Sequence, residues 1–248
     1  MSITIKNDEQ IEKMRKAGKI LRDTLNMLEQ YVYPGQTSLR LNDLAYQYIK
    51  SQGAIPSFLG YEGFPFTICA SVNEQVVHGF CNDQPLIDGD IISIDCGVIY
   101  DGWQSDAART FAVGNISLEK QKLINDTKQS FFEGLKGIKA GSRLGNISHQ
   151  IQKYLEDRGY GVVRELTGHG IGTEMHEDPY VPNYGKYNSG IVLQAGMTLA
   201  IEPMVTLGKR DVVMEDNDWT ISTWDGLPAA HYENTVLITK DGVEILSL

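Results

Sequence analysis

The chain has 248 residues, 42% of them hydrophobic and 22% charged, with a formal net charge of -10 at neutral pH. This length fits one large domain or two small ones, and it buries enough surface to fold without disulfides or a structural metal. The acidic balance argues against direct nucleic-acid binding and against attachment to anionic lipid, which both need basic surfaces.

The sequence carries no targeting signal that we can recognise. The chain does not open on a basic segment followed by an apolar stretch, and no apolar run approaches the ~20 residues of a membrane helix. Three cysteines, an odd number without a C-x-x-C pair, argue against a disulfide framework or a thiolate zinc site. We therefore expect a cytoplasmic protein that does not associate with membranes.

Two amphipathic helices are predicted near the start of the chain. Apolar residues recur every three or four positions over residues 8–30, and Asn7 with Gln10 forms a candidate capping box. After a Pro-Gly break, a second helix is predicted to begin at Ser38 as its cap and to end at Gly53.

The sequence contains an internal repeat. The apolar pattern of residues 35–53 recurs 106 positions later, and the pattern of residues 86–95 recurs at an offset of 107 as residues 193–202. The second pattern ends in a carboxylate both times, at Asp95 and at Glu202. Two successive matches at nearly one offset indicate duplication rather than chance spacing.

The repeat predicts two homologous halves, roughly 1–115 and 116–248, in which helices are followed by strands. No segment rich in proline, glycine or serine separates them, so no flexible linker is indicated. We expect residues 1–248 to form a single α+β domain.

A β-hairpin is predicted over residues 91–113, turning near the Asp-Gly pair at 101–102. Asp95 and Asp106 are nearly equidistant from this turn, so we expect them to face each other across the strands. Two buried carboxylates repel each other unless a cation lies between them. The alternative is that one of them is exposed or paired with Arg109.

Two further carboxylates belong to the second half. Glu202 ends an apolar run, and Glu233 precedes another β-like run at residues 235–239. The repeat relates Glu202 to Asp95 and Glu233 to Asp106. Four carboxylates in an apolar setting predict a site for divalent metal ions, which oxygen ligands suit.

The histidines add candidate ligands. His169 and His176 lie in a glycine-rich segment, where His169 is either a ligand or a structural residue. His78 follows an apolar pair and could be a core residue. For His231, closeness to Glu233 on one strand face is the only argument.

Together these residues resemble the type I methionine aminopeptidases of the pita-bread metallopeptidase fold, over nearly the whole chain. The resemblance implies an α+β fold of two pseudo-two-fold-related halves, with a central antiparallel sheet covered by helices. The motifs that carry it are Gly60-Tyr61-x-Gly63-Phe64-Pro65, Ser71-Val72-Asn73-Glu74-x-Val76-Val77-His78-Gly79, Asp95 with Asp106, residues 168–172 and 175–185, Ile201-Glu202-Pro203 and Tyr232-Glu233-Asn234-Thr235.

The resemblance also implies a cofactor, namely two divalent ions (cobalt, manganese, iron or zinc) that share a bridging hydroxide. Asp106 and Glu233 would bridge the ions, Asp95 would bind one of them, and His169 and Glu202 would bind the other. Two ions about 3.5–4 Å apart can activate water at neutral pH and polarise a peptide carbonyl.

The same resemblance assigns three catalytic roles. Glu202 would act as general base or proton shuttle, and His176 would donate to the carbonyl oxygen and the developing oxyanion. His78 would contact the amide on the leaving side. The implied methionine pocket consists of Phe58, Tyr61, Phe64, Cys69, Met175 and Trp219, although Phe58 and Phe64 could each be ordinary core residues.

Two departures from the family pattern concern the substrate. The segment Gln104-Ser105-Asp106-Ala107-Ala108 resembles the Xaa-Pro aminopeptidases and prolidases of the same fold. Phe58 stands where a smaller residue is common and would narrow the pocket. An Xaa-Pro aminopeptidase is therefore the alternative enzyme, followed by a non-catalytic binding module of this fold and an unrelated two-metal phosphoesterase.

The expected partner is a peptide or nascent protein with a free amino terminus. We expect a monomer, and the sequence leaves transient contact with the ribosome open.

Overall fold

The computed structural model describes residues 3–248. Within that range the α-helices are α1 Asp8–Glu29, α2 Ser38–Ser51, α3 Leu118–Gly134 and α4 Leu144–Glu156. A short 3-10 helix spans Tyr61–Gly63. The strands are β1 Ile55–Pro56, β2 Ile68–Val72, β3 Gln75–Val77, β4 Ile91–Tyr100, β5 Trp103–Ala112, β6 Gly161–Val162, β7 Gly168–Gly170, β8 Glu177–Val181, β9 Thr198–Ile201, β10 Met204–Thr206, β11 Val212–Met214, β12 Ile221–Thr223, β13 Ala229–His231, β14 Asn234–Ile238 and β15 Val243–Ile245.

The first two helices begin close to the predicted positions. Helix α1 has the predicted capping box, in which the Asn7 and Gln10 side chains each accept a hydrogen bond from the other's backbone N–H. Helix α2 is capped by Thr37, so the prediction of Ser38 was wrong by one residue. The Ser38 hydroxyl instead bonds the backbone of Asn82, which attaches the start of α2 to a loop.

The named strands pair antiparallel and form four sheets. The orders are β1-β4-β2 with β5 on β4, then β13-β10-β6, β11-β12-β3 and β15-β14-β9-β7-β8. Strands β5 and β14 meet where the backbones of Ala108 and Glu233 exchange two hydrogen bonds, of 3.4 and 3.0 Å. The Thr235 hydroxyl bonds both the N–H and the C=O of Asp106 beside them. These bonds join the strands of the two predicted halves.

Each pair of helices covers one side of the sheets with apolar side chains. Leu21, Ile49 and Ile94 belong to a buried cluster between the first helix pair and β4. Phe131 and Ile151 belong to a second cluster that packs against strands of the second half. Burying such side chains is worth about 1.5–3 kcal/mol each, so both clusters hold the strand ends in place.

No helix among residues 3–248 is long and apolar enough to cross a membrane.

Candidate metal centre

A tight turn sets the geometry of the β4–β5 hairpin. Tyr100 pairs with Trp103, so Asp101 and Gly102 alone make the turn. Both residues have positive φ, 49° and 78°. Two positive φ values are what a type I′ hairpin turn requires, and Asp-Gly is a favoured sequence for it. The predicted position of the turn is confirmed.

The register places the two aspartates diagonally. Asp95 pairs with Ala108 and Gly97 pairs with Asp106, so the aspartates, which were predicted to lie nearly opposite each other, are offset by two positions. The offset arises because the turn is centred between Asp101 and Gly102, whereas the two aspartates are symmetric about a point one residue earlier in the chain. Because side chains alternate between faces with a period of two, an offset of two leaves both carboxylates on the same face.

The second half contributes three side chains at neighbouring strand ends. His169 lies on β7, which pairs with β9. Glu202 directly follows β9 and Glu233 directly precedes β14, and Ile201 pairs with Asn234 at the adjacent position. The two glutamates therefore emerge together at one end of this strand pair.

These side chains converge on those of the hairpin. His169 Nε2 lies 3.9 Å from Asp106 Oδ2 and 3.8 Å from Glu202 Oε1. Its Nδ1 lies 2.9 Å from the Gly170 carbonyl oxygen. Nδ1–H donates to that carbonyl, which leaves the Nε2 lone pair free to bind a metal ion. Ligand atoms of Asp106, His169 and Glu233 all lie within 4.8 Å of one another.

Burial keeps the carboxylates from ionising freely in the protein alone. It raises the pKa of Asp95 to about 7. Burial and the neighbouring carboxylates raise the pKa of Asp106, Glu202 and Glu233 well above the usual range. Four buried acids so close together can all be ionised only if a cation lies among them, because desolvated like charges repel strongly.

Arg109 does not supply that cation. Its guanidinium donates to the backbone carbonyls of Ala108, Glu233 and Ser247 and to the side chain of Asn234. Among residues 3–248 no ion pair joins it to either aspartate. The alternative that Arg109 neutralises an aspartate was therefore wrong.

The donor set fits divalent metal ions. In the described part of the chain, Asp95 Oδ1, Asp106 Oδ1 and Glu233 Oε1 are buried without a hydrogen-bond partner. Such oxygens are costly to bury unless something binds them. Carboxylate oxygens with one imidazole nitrogen form a common ligand set for borderline divalent ions.

All the predicted site residues line one cavity of about 140 Å³. The structure thus brings together residues from both halves of the chain. The lining consists of Phe58, Tyr61, Glu62, Phe64, Cys69, His78, Asp95, Asp106, His169, Met175, His176, Glu202, Trp219 and Glu233.

The apolar part of the cavity lies beside the carboxylates. The ring centroids of Phe64 and Trp219 are 5.0 Å apart in an edge-to-face arrangement. Gly97 packs against two of the lining side chains, because a Cβ there would lie 2.9 Å from both Phe58 and Met175. A larger residue at this position would push those side chains out of place.

Two further histidines line the cavity. His176 Nδ1 lies 2.8 Å from the Tyr61 hydroxyl, and its ring centroid is 4.4 Å from that of His169. Burial lowers the pKa of His176 and lowers that of His78 to about 4. Both rings are therefore neutral near pH 7 and can act as hydrogen-bond donors.

Sequence reasoning missed Glu62 and gave little weight to His231. Glu62 lies in the Tyr61–Gly63 3-10 helix and lines the cavity, and its position within the motif of residues 60–65 was the available signal. His231 is 1% exposed, with Nε2 3.7 Å from oxygens of Glu202 and Glu233. Its two-residue separation from Glu233 was the corresponding signal.

We expect the metal-free protein to lose stability as pH rises from about 4 to about 7. Its Asp95 has a folded pKa of about 7 against an ordinary 3.8, so the folded state binds more protons in this interval. The stabilisation is complete below pH 4 and is lost through pH 7. A divalent ion replaces the proton and removes the loss, which is on the order of a few kcal/mol.

Thermal unfolding from pH 5 to pH 8, with and without Co²⁺, measures this effect. The difference between the two melting temperatures should widen as pH rises. A difference that stays constant or narrows over this range would contradict the expectation.

Comparison with known proteins agrees with this geometry. The model of "Metallopeptidase family M24" matches residues 12–240. A relative from Clostridium acetobutylicum named "Methionine aminopeptidase" is 58% identical, and the match covers 99% of each chain. The crystal structure of a methionine aminopeptidase from Rickettsia prowazekii superposes with a TM-score of 0.98 at 41% identity, covering 100% of both chains.

The fold is shared more widely. An Xaa-Pro dipeptidase from Bacillus anthracis superposes with a TM-score of 0.78 at 24% identity. That match covers 98% of this chain and 61% of the dipeptidase. Identity at this level shows the common pita-bread fold and nothing about substrate. The family match, the full-length relatives and the buried ligand cluster agree, and the chain belongs to metallopeptidase family M24.

Proposed function

We propose that the chain is a metal-dependent methionine aminopeptidase that removes the initial methionine from peptides and nascent proteins. The observation that carries this proposal is one cavity in which five candidate metal ligands adjoin an apolar pocket. The full-length relatives named methionine aminopeptidase support the same activity. We further propose that residues 1–248 act as a single catalytic domain, because both halves contribute ligands.

Two divalent ions would be held by Asp95, Asp106, His169, Glu202 and Glu233. When bound, such ions supply an activated water nucleophile and polarise the scissile carbonyl. Glu202 would accept a proton during the attack and return it to the leaving amine, since its carboxylate lines the cavity and lies 3.8 Å from His169 Nε2 of the ligand cluster.

His176 stabilises the negative charge that develops on the carbonyl oxygen. We assign the Tyr61 hydroxyl as the donor to His176 Nδ1, 2.8 Å away, and the ring proton of His176 to Nε2. A neutral Nε2–H then donates to the oxyanion without a change of charge on the enzyme. His78, on the same cavity wall, contacts the amide on the leaving side.

Methionine recognition is assigned to the apolar side of the cavity. Aromatic faces, the Cys69 thiol and the Met175 thioether suit a flexible, polarisable side chain. Burial raises the pKa of Cys69 well above its usual value, so this group stays a neutral thiol. Phe58 reaches the pocket beside Gly97 and narrows it.

The experiment that tests this function uses metal-loaded protein and three substrates. Met-Ala-Ser peptides should release methionine, whereas Ala-Pro peptides and N-acetylated Met-Ala-Ser should remain intact. Release from Ala-Pro but not from Met-Ala would establish the Xaa-Pro alternative. No cleavage of any substrate with two ions bound would favour a non-catalytic binding protein.

Trp219→Ala should reduce the preference for methionine over leucine by about tenfold. Trp219 contacts Phe64 and lines the pocket, so its loss widens the space around the substrate side chain. In an apolar pocket, a difference of one methylene group between two substrates changes their relative kcat/KM by about 1–3 kcal/mol in free energy. The measurement is kcat/KM for Met-Ala against Leu-Ala.

The matched control is Trp224→Ala, because Trp224 is 60% exposed and stacks with Lys209 instead. An unchanged methionine preference in Trp219→Ala would assign Trp219 to packing alone.

The remaining assignments are also proposals. We propose that the enzyme acts in the cytoplasm as a monomer, on chain ends with a free amine. Sedimentation of the metal-loaded protein with and without purified ribosomes tests both the monomer and transient ribosome contact.

A further inference from the structure

His231 is a buried histidine for which the proposed mechanism has no use. It ends strand β13 and is 1% exposed. Neither ring nitrogen has a hydrogen-bond partner within residues 3–248. Leaving two polar atoms unpaired in the interior is costly, so a partner is expected when the site is complete.

One ring nitrogen of His231 is equally distant from the carboxylates of the two glutamates. Its Nε2 lies 3.7 Å from Oε2 of Glu202 and 3.7 Å from Oε2 of Glu233. The other Glu202 oxygen, Oε1, lies 3.8 Å from His169 Nε2. Each oxygen of Glu202 therefore has its own imidazole neighbour.

The two imidazoles lie in different surroundings. His169 lines the cavity of about 140 Å³ that contains the candidate ligands. His231 is absent from that lining and instead lines a second, larger cavity together with Arg109 and Lys128. A ring nitrogen of His231 also lies within 4.8 Å of carboxylate oxygens of Asp95 and Glu233, so its position suits either a donor to the glutamates or a further ligand, and substitutions of the ring distinguish the two roles.

Backbone bonds fix the position of His231. Its N–H donates to the Thr110 hydroxyl, which donates in turn to the His231 carbonyl, both at 2.9 Å. Ser93 lies 2.8 Å from the same hydroxyl. Strand β13 also pairs with β10, where Met204 is opposite His231. These bonds hold the backbone of His231, and the 1% exposure of the residue leaves its ring little room to turn away from the glutamates.

We propose that His231 is a positioning residue whose Nε2–H donates to the Oε2 atoms of Glu202 and Glu233. The separation of 3.7 Å exceeds the ~2.9 Å of a formed N–H···O bond, so the glutamates must close on the ring when they take up ligand positions. Holding these oxygens orients the opposite ones toward the ions. The inference rests on the proposed function, because it needs a metal centre at this place.

The test compares three substitutions that move or remove the donor. His231→Gln places an amide N–H near the Nε2 position, whereas His231→Asn places one near Nδ1. His231→Leu removes the donor and keeps an apolar side chain in the buried position. The control is His149→Gln, because His149 lies on α4, with Nδ1 3.3 Å from the Gly185 carbonyl oxygen and its ring beside Tyr187.

The measurements are Co²⁺ affinity of the metal-free proteins by calorimetry and the visible absorption spectrum of the Co²⁺ forms. Loss of a residue that orients ligands costs about 10–100-fold in metal affinity. We expect that loss in His231→Asn and His231→Leu, and affinity within a few-fold of the parent in His231→Gln. If the leucine variant does not fold, the asparagine and glutamine pair decides the question.

Two outcomes overturn the proposal. Equal affinity in all variants would mean that His231 only packs. Equal loss in the glutamine and asparagine variants, with altered Co²⁺ spectra, would mean that His231 is itself a ligand.

Failure of the proposed function gives a different result. Tight Co²⁺ binding with the expected order of variants, but no methionine release by the parent protein, would reject the activity and leave the positioning role standing. Methionine release with identical Co²⁺ affinities in all variants would reject the positioning role alone.

Discussion

Glu202→Gln should lower kcat for methionine release by about 10³-fold while the protein remains folded. A glutamine cannot accept the proton that the attack sets free, and positioned general bases contribute about 10²–10⁴-fold. It also removes one buried negative charge, which burial and the neighbouring aspartates already disfavour in the metal-free protein. The expected signature is therefore an inactive enzyme whose unfolding temperature is unchanged or higher.

Turnover of Met-Ala peptides at saturating Co²⁺ measures the effect, alongside bound metal and thermal unfolding. Glu165→Gln is the matched control, since Glu165 is an exposed glutamate. Turnover within tenfold of the parent, at equal metal content, would remove Glu202 from the proton-transfer step.

Asp106→Asn should weaken divalent metal binding by more than about 100-fold. Asp106 is the proposed bridge between the ions, and changing residues that merely orient ligands already costs about 10–100-fold. The residue is 4% exposed, and its carboxylate lies near those of Glu233 and Asp95. The asparagine keeps the shape of the side chain but loses the charge, so both ions lose a ligand.

The same substitution should raise the stability of the metal-free protein at pH 8. Burial and neighbouring carboxylates hold the pKa of Asp106 well above its usual value. Replacing this acid with a neutral amide removes the free-energy cost of a buried negative charge at pH 8. For a chain of this size, 1 kcal/mol corresponds to about 2–4 °C in melting temperature. We therefore expect Asp106→Asn to have a lower affinity for divalent metal and a higher metal-free melting temperature than the parent protein.

Calorimetric Co²⁺ titration and metal-free thermal unfolding measure the two quantities. Asp43→Asn, on the exposed side of α2, is the control. Unaltered Co²⁺ affinity in Asp106→Asn would exclude the bridging role.

Local signals in the sequence predicted the elements well because short-range physics decides them. The Asn7–Gln10 capping box and the turn at Asp101-Gly102 depend on a few adjacent residues. The hairpin register is harder, since moving the turn centre by one residue changes every cross-strand partner. The cap of α2 illustrates the same limit, because Thr37 and Ser38 are both good caps and tertiary contacts with Asn82 decide between them.

The sequence predicted those site residues that residue spacing or the family resemblance indicated, and no others. The internal repeat indicated Asp95 and Glu202 as related candidate residues. Their closeness in space depends on how strand β5 of the first half contacts strand β14 of the second half, which no local sequence pattern predicts. His231 shows the difficulty most clearly. Its closeness to Glu202 joins residues 29 positions apart, one directly after β9 and the other at the end of β13, and a two-residue separation from Glu233 could not reveal it.

The hairpin turn restricts which insertions, deletions and substitutions this chain can tolerate during evolution. Strand β5 lies between helix α1 on one face and the carboxylates on the other. Inserting or deleting one residue at Asp101-Gly102 would rotate Asp106 onto the helix side or break the pairing of Ala108 with Glu233. The composition of the turn is therefore free to vary among residues that tolerate positive φ, whereas its length is constrained by the opposite half of the molecule.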